Sequence, residues 1–310
     1  MRRPAARHLF GVSGRLLFRV CSCLGSRRKE AQVGSSESQW VLRPGRLEDH
    51  AVFARLFLEL GVDEPSPPEP VWAAEIAQRS LFAEGPQGVG AYAVTNVLGD
   101  FGFVRQLVVA PFARGQGLGR RMMTHLAGHF RAQGCTRWVL NVKRDNRPAL
   151  ELYTSLGMRP AREATTLRVT RAHLAALPPA SPDGAVVPVS LEDCGALTEA
   201  FGMIPGKLAA SAASDSHRLL GLIDPQAPAR RWLGMMDLRP GPSLFPFFAV
   251  SPGHARTLLE EAFGQLEEGA SSLNVTVAED APLVHLFRDA GAQTRLETLE
   301  LRGLLVDAAP

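Results

Sequence analysis

No stretch of this 310-residue sequence reaches the roughly 18 uninterrupted apolar residues that a membrane-spanning helix needs, and the longest N-terminal candidate, Leu16 to Val20, is broken by Arg19. A spanning helix is excluded. Cysteine is equally scarce: four residues cannot build a disulfide framework, and a lone C-x-C pair at Cys21 and Cys23 is no metal site. With Cys135 and Cys194 at the edges of predicted elements, reduced thiols in a cytoplasmic compartment are the expectation. Lysine is nearly absent, 3 against 31 arginines, which reads as the imprint of a GC-rich genome rather than a functional demand. A net charge of +3, with no aromatic-interleaved basic stripe and no zinc-finger spacing, leaves nucleic acid and membrane surfaces out as expected partners.

What is present is a chain that can bury a core. It is 45% hydrophobic and 21% charged, and at about 150 residues per domain its length suggests two domains. Residues 1–29 carry seven Arg and one Lys with no acid, interleaved with Leu9, Phe10, Leu16, Leu17 and Phe18. That pattern fits an organellar presequence, which would make the location mitochondrial; it also fits a disordered basic leader or an upstream start codon.

The sequence is internally duplicated. Pro44 and Asp49 return as Pro188 and Asp193 at an offset of 144, and Val109-Ala110-Pro111 returns as Val250-Ser251-Pro252 at 141. Leu140-Asn141-Val142 returns as Leu273-Asn274-Val275 at 133, and Pro148 through Gly157 aligns with Pro282 through Gly291 at 134. Four matches in one order define two copies. We expect a leader over 1–36, a first domain over 37–176, a linker in the Pro-rich 177–184 and a second domain over 185–310. The second copy is shorter just after Pro252, and that interval holds the most distinctive sequence of the first copy.

There, a predicted strand over Phe103 to Val109 ends at Pro111 and is followed by Arg114-Gly115-Gln116-Gly117-Leu118-Gly119 and a helix with Leu118, Met122, Leu126 and Phe130 on one stripe, stopped by Gly134. A glycine turn entering a helix presents unpaired N–H groups that can cradle a pyrophosphate, or it is an ordinary flexible turn. Charge favours the cradle, because between Phe101 and Arg144 there are eight basic residues and no acid. A dinucleotide fingerprint fails at Arg120, and no Walker loop is present. Next come a strand over Arg137 to Val142 and a helix opened by Asn146, with Ala149, Leu152, Tyr153 and Leu156 inward and Gly157 as stop. Tyr153, one of only two tyrosines, is either core packing or a proton donor beside a thioester.

Strand, Val-x-Pro, Arg-Gly-Gln-Gly-Leu-Gly, helix, strand, then Asn-x-x-Ala-x-x-Leu-Tyr-x-x-x-Gly resembles the GNAT superfamily of acyl-CoA-dependent N-acyltransferases. Arg114 to Gly119 fits that family's Q/R-x-x-G-x-G/A pyrophosphate motif. The resemblance implies an α/β (α+β) fold of two tandem GNAT-like domains, each a mixed, mostly antiparallel sheet flanked by helices, the second degenerate. It implies acetyl-CoA as co-substrate with no metal, held by Leu107, Val108 and Val109 along the pantetheine arm. Arg114, Gly115, Gln116, Gly117, Leu118, Gly119 and Arg120 would lie at the pyrophosphate, with Asn146 near the thiol end. Tyr153 would protonate the departing thiolate. The acceptor would be a small-molecule or peptide amine, and a homodimer is left open.

One departure is a strand before Val109 that offers Arg105 and Gln106 where many relatives carry a Glu as general base. Asp63, Glu64 or a water chain are the candidates in its place. That gap also leaves open a non-catalytic acyl-CoA-binding sensory or scaffolding protein. His125 and His129 have metal-ligand spacing but no third ligand in view. In the second copy Asn146 becomes Asp280, Tyr153 becomes Phe287, and no Gly-x-Gly follows Pro252.

Overall fold

Local sequence chemistry builds the same run of elements twice. The computed structural model describes residues 39–62, 65–214, 216–266 and 269–305. The first run is β1 (Val41–Pro44), α1 (His50–Phe57), α2 (Glu69–Val71, continued by a π turn to Ile76 and a 3-10 turn to Arg79), β2 (Ser80–Gly85), β3 (Gly88–Leu98), β4 (Phe101–Val109), α3 (Leu118–Ala132), β5 (Arg137–Lys143), α4 (Arg147–Ser155) and β6 (Arg159–Thr170). The second is β7 (Ala185–Pro188), α5 (Asp193–Ala200), α6 (Lys207–Ala212), β8 (Arg218–Asp224), β9 (Arg231–Arg239), β10 (Ser243–Ala249), α7 (Pro252–Gly264), β11 (Ser272–Ala278), α8 (Ala281–Asp289) and β12 (Gln293–Leu304). The basic leader, Cys21, Cys23, Asp63 and Glu64 lie outside the described residues.

The repeated residues have repeated jobs. Pro44 and Pro188 close β1 and β7, where an edge strand tolerates a missing N–H. Asp49 accepts the Arg46 N–H at 2.8 Å and Asp193 the Ser190 N–H at 3.0 Å, each pinning the turn before its helix. Asn146 and Asp280 cap α4 and α8 through the N–H groups of Ala149 and Leu283. Gly157 and Gly291, at φ 85° and 93°, terminate those helices in the left-handed conformation that glycine adopts without strain.

The copies do not form separate sheets. Twelve strands make one sheet in the order β1-β2-β3-β4-β5-β12-β6-β11-β10-β9-β8-β7, with only β4–β5 and β10–β11 parallel. The last strand of each copy completes the other copy's half: β12 pairs with β5, Arg137 opposite Leu304, and β6 pairs with β11, Thr170 opposite Ser272. β6 and β12 then pair with each other, Thr165 opposite Glu297. Residues 177–184, expected as the linker, therefore connect two halves that share a continuous ladder.

Helices cover both faces. Alternation along β3 sends Ala91 and Ala93 into the core under α3 and α4, and Tyr92 and Val94 into the core under α1 and α2. The stripe Leu118, Met122, Leu126 and Phe130 of α3 is fully buried, as its spacing predicts. In the second half α7 and α8 pack on the first of these faces and α5 and α6 on the second. Among the described residues no helix is long and apolar enough to cross a membrane. Cys135 and Cys194 are free, buried thiols, and burial raises both pKa values.

The exchange predicts how a fragment behaves. Residues 39–176 alone lack β12, leaving the β5 ladder without a partner and the Leu301 side chain missing from the core shared with α3 and α4. We expect this fragment to self-associate or aggregate, and co-expression with residues 177–310 to recover a soluble one-to-one complex, as read by size-exclusion chromatography with light scattering. A monodisperse, cooperatively unfolding monomer would show that the exchanged strand is dispensable.

Candidate active site

The site is set by where a ladder stops. β4 and β5 pair in parallel only from Phe101 to Val104, opposite Arg137 to Leu140; beyond that point no pairing joins Arg105–Val109 to β5. A register shift in the β3–β4 ladder at Val94/Thr95 makes Arg105 the extra residue of a bulge and marks the point of divergence. Antiparallel pairs alternate between bonded and non-bonded. The Ala110 N–H donates to Gly90 O at 2.8 Å, so Val108 bonds to β3 as well, while the N–H and C=O groups of Leu107 and Val109 face the opening. Val108 is therefore set apart from its neighbours: its backbone is used within the sheet and its side chain is buried under α1 and α2.

The glycine turn stands at the end of this opening. Gly115 and Gly117 both have φ 74°, and a Cβ placed on either would meet no atom within 4 Å, so conformation rather than crowding calls for glycine there. Gly117 caps α3 without any side-chain cap, and the first helical bond runs from the Arg121 N–H to Gly117 O. The N–H groups of Leu118, Gly119 and Arg120 are left without helical acceptors at the positive end of the dipole. Gly119 has a different reason from the one its motif suggests. A Cβ there would lie 3.2 Å from Leu152 and 3.7 Å from Val109, so its absence lets α3, α4 and the end of β4 converge.

The polar side chains of the turn brace it. Arg114 donates to Val109 O at 3.0 Å and pairs with Glu59 at 2.6 Å, fastening the turn to the end of α1. Gln116 donates to Phe112 O at 2.9 Å, and Arg120 to the Ser155 hydroxyl of α4 at 2.7 Å. The Asn146 side chain is engaged as the cap of α4. Tyr153 is 7% exposed, and burial, the sole cause, pushes its phenol up to about 12, so it stays protonated at neutral pH. His125 and His129 do not belong to any metal-holding group among the described residues.

Sequence reasoning named Arg105 and Gln106, on the opposite side of the opening, only as the lack of a strand carboxylate, and gave Tyr92 no role. The Tyr92 hydroxyl donates to Gln106 at 3.2 Å, and Arg105 stands at the bulge facing α2. A break in the period-two pattern after Val104 was the available signal for the bulge.

In the second half the opening is shorter. Pairing of β10 with β11 resumes at Phe247 after an irregularity beyond Leu244, leaving two residues of the strand past it. The start of α7 is capped by Ser251 and overlaid by the linker: Ser181 N–H donates to Gly253 O at 3.4 Å, His254 meets Asp183 at 3.1 Å, and a Cβ on Gly253 would lie 3.1 Å from Pro179 O.

Comparison with known proteins agrees with this geometry. The family model described as acetyltransferase (GNAT) family matches residues 47–158. The [ribosomal protein bS18]-alanine N-acetyltransferase of Escherichia coli strain K12 is 34% identical over 95 residues, 30% of this chain and 64% of that protein's length, so less than two thirds of that relative is spanned. Among solved structures, a GCN5-related N-acetyltransferase from Sphaerobacter thermophilus aligns with a TM-score of 0.63 at 19% identity, covering 88% of this chain and 98% of its own. A tandem GNAT protein from the clavulanic acid biosynthesis pathway aligns with a TM-score of 0.55 at 15% identity, over 87% of this chain and 100% of its own. At such identities the structures establish the fold.

A bulky residue at Gly117 would both strain the left-handed turn and fill the space before the free N–H groups. Gly117→Val should abolish acetyl-CoA binding by calorimetry while costing about 1–2 kcal/mol of stability. Retained binding, or a second site of similar affinity in the parent chain, would contradict this placement.

Proposed function

We propose that this chain, whose residues 47–158 match the GNAT family model, transfers an acetyl group from acetyl-CoA to an amine acceptor by direct attack, with its acetyl-CoA site in the first copy alone. The observation that carries this reading is the parting of β4 from β5 with the uncapped start of α3 at its end. A pantetheine arm laid in the opening would form strand-like hydrogen bonds with Leu107 and Val109, and the free N–H groups of α3 suit the diphosphate. Arg114 and Gln116 support that cradle by bracing its backbone.

The Val109 N–H, directed into the opening, is placed to polarise the thioester carbonyl, where charge develops during attack. In the reaction the C–N bond forms as the C–S bond breaks, the amine gives up a proton and the thiolate takes one. Tyr153, held protonated by burial, follows Leu152, the α4 residue that meets the converging ends of α3 and β4, and is the donor we assign to the departing sulfur. Its high pKa makes full transfer to a thiolate uphill, so its role is a hydrogen bond that strengthens as negative charge builds on sulfur.

Phe287, fully buried at the matching place in the second copy, shows that the ring position tolerates loss of the hydroxyl. Tyr153→Phe should leave acetyl-CoA affinity almost unchanged and lower the single-turnover rate by about 10² to 10³, the range for one hydrogen-bond donor aimed at developing charge. A variant within about threefold of the parent would remove Tyr153 from the chemistry.

A further inference from the structure

On the face opposite the glycine turn, the opening between β4 and β5 is bordered by both copies. β4 and β10 stand five places apart in the sheet, about 24 Å if it were flat. Yet the Lys207 ammonium of α6 lies 5.7 Å from the centre of the Phe103 ring on β4 and 4.8 Å from that of Phe245 on β10. The sheet therefore curls into a trough on this face. Ile204, just before α6, packs on Phe101 and Val139 of the first copy and closes one side.

The charges in this trough do not balance. Arg302 occupies Glu300 at 2.7 Å, Glu279 pairs with Arg162 at 2.9 Å, and buried Asp237 pairs with Arg239 at 2.9 Å. Two cations remain. The Arg105 and Lys207 side chains make no hydrogen bond or ion pair among the described residues, Lys207 resting only over the Phe103 and Phe245 rings. Arg105 is open to solvent yet enclosed enough that desolvation lowers its pKa, with Arg79 and Arg239 acting in the same sense and only Glu75 against it. Burial likewise takes Lys207 down to about 8, opposed by Glu300 and aided by Arg239, Arg162 and Arg302. Like charges held close in a partly desolvated trough are costly unless an anion joins them.

We infer that Arg105 of the first copy and Lys207 of the second form an anion subsite beside the reaction centre, so that the acceptor is an amine also bearing a carboxylate or phosphate group. This rests on the acetyl-transfer reading for the direction from which the acceptor arrives. Arg105 is the first residue beyond the last β4–β5 pair, and its charge neighbours Glu75, Arg79 and Arg239 put it on the face of the sheet opposite the glycine turn, which the acetyl-transfer reading leaves for the acceptor. The planar guanidinium fork suits either oxyanion, and the ammonium adds charge without geometric demand. The missing strand carboxylate then has a physical reading: an acid at that position would neutralise the subsite.

The test is a panel of length-matched amines, 4-aminobutyrate against butylamine and phosphoethanolamine against ethanolamine, with acetyl-CoA and free-thiol detection. The anionic member of at least one pair should be favoured about tenfold or more in kcat/KM, and which pair responds distinguishes carboxylate from phosphate. Arg105→Gln should lower turnover of the favoured anionic amine about 10- to 100-fold and that of its neutral partner less than threefold, with Lys207→Met acting in the same sense but less. Arg105→Lys should recover part of the preference. Neutral amines turned over as well as charged ones, or an Arg105→Gln effect equal on both, would overturn the inference. Calorimetry of 4-aminobutyrate and phosphoethanolamine with the CoA-saturated chain gives a readout without turnover. Binding lost in Arg105→Gln supports the subsite even if no thiol is released, whereas absence of binding by both compounds overturns it. Failure of acetyl-CoA itself to bind would instead sink the acetyl-transfer reading.

Discussion

Three backbone ladders that cross the duplication, β5 with β12, β12 with β6 and β6 with β11, hold this molecule in its shape. Each copy brings five strands of its own half and takes the sixth from the other. The consequence reaches the site directly, because β5 is one wall of the opening in which the pantetheine arm is proposed to lie, and β5 is held from its other side by β12. The wall that must stay apart from β4 is thus anchored by the second copy's last strand. Trp138 and Leu140 on β5 share a core with Leu301 on β12, so side-chain packing reinforces the same joint.

Much of this was legible in the sequence because it depends on local chemistry. Pro44, Asp49, Asn146 and Gly157 end strands, pin turns, cap helices and stop them by interactions within a few residues, and their counterparts in the second half do the same. The α3 stripe and the glycine turn were legible for the same reason. The exchange of β6 and β12 was not. A strand has the same alternation whichever neighbour completes it, and the backbone groups that choose the partner leave no trace in residue type. Arg105 was visible only as a departure from a family pattern; the second copy's Lys207 and Arg239 gave it an environment, and those lie more than 100 residues away.

The two copies share one frame and differ in a few backbone decisions. Both copies carry a bulge in the strand, at Arg105 and between Leu244 and Phe247; in the first, the parallel pairing ends at that bulge and two left-handed glycines leave α3 uncapped. In the second, pairing continues to Phe247, Ser251 caps α7 and the linker settles over it. Closing the strand gap and satisfying the helix start are what stabilise an ordinary sheet, so the degenerate copy is the better-satisfied structure. The open copy leaves N–H groups and cations without partners, and those define what it can bind.

The strand exchange also fixes a schedule for synthesis. β5 ends at Lys143, but its neighbour β12 begins only at Gln293. At translation rates of about 5 to 20 residues per second, the β5 ladder waits roughly 8 to 30 s for its partner on the ribosome. Until β11 follows at Ser272–Ala278, β6 has neither of its final neighbours, and it can fold back on β5 as a provisional hairpin. Reaching the final sheet then requires that hairpin to open and admit β12 between its strands, a late, non-local step of the kind that makes folding slow. A nascent first half in that state exposes the edges through which two unfinished chains could pair, so the ordering of one terminal strand decides how long this protein is open to misassembly.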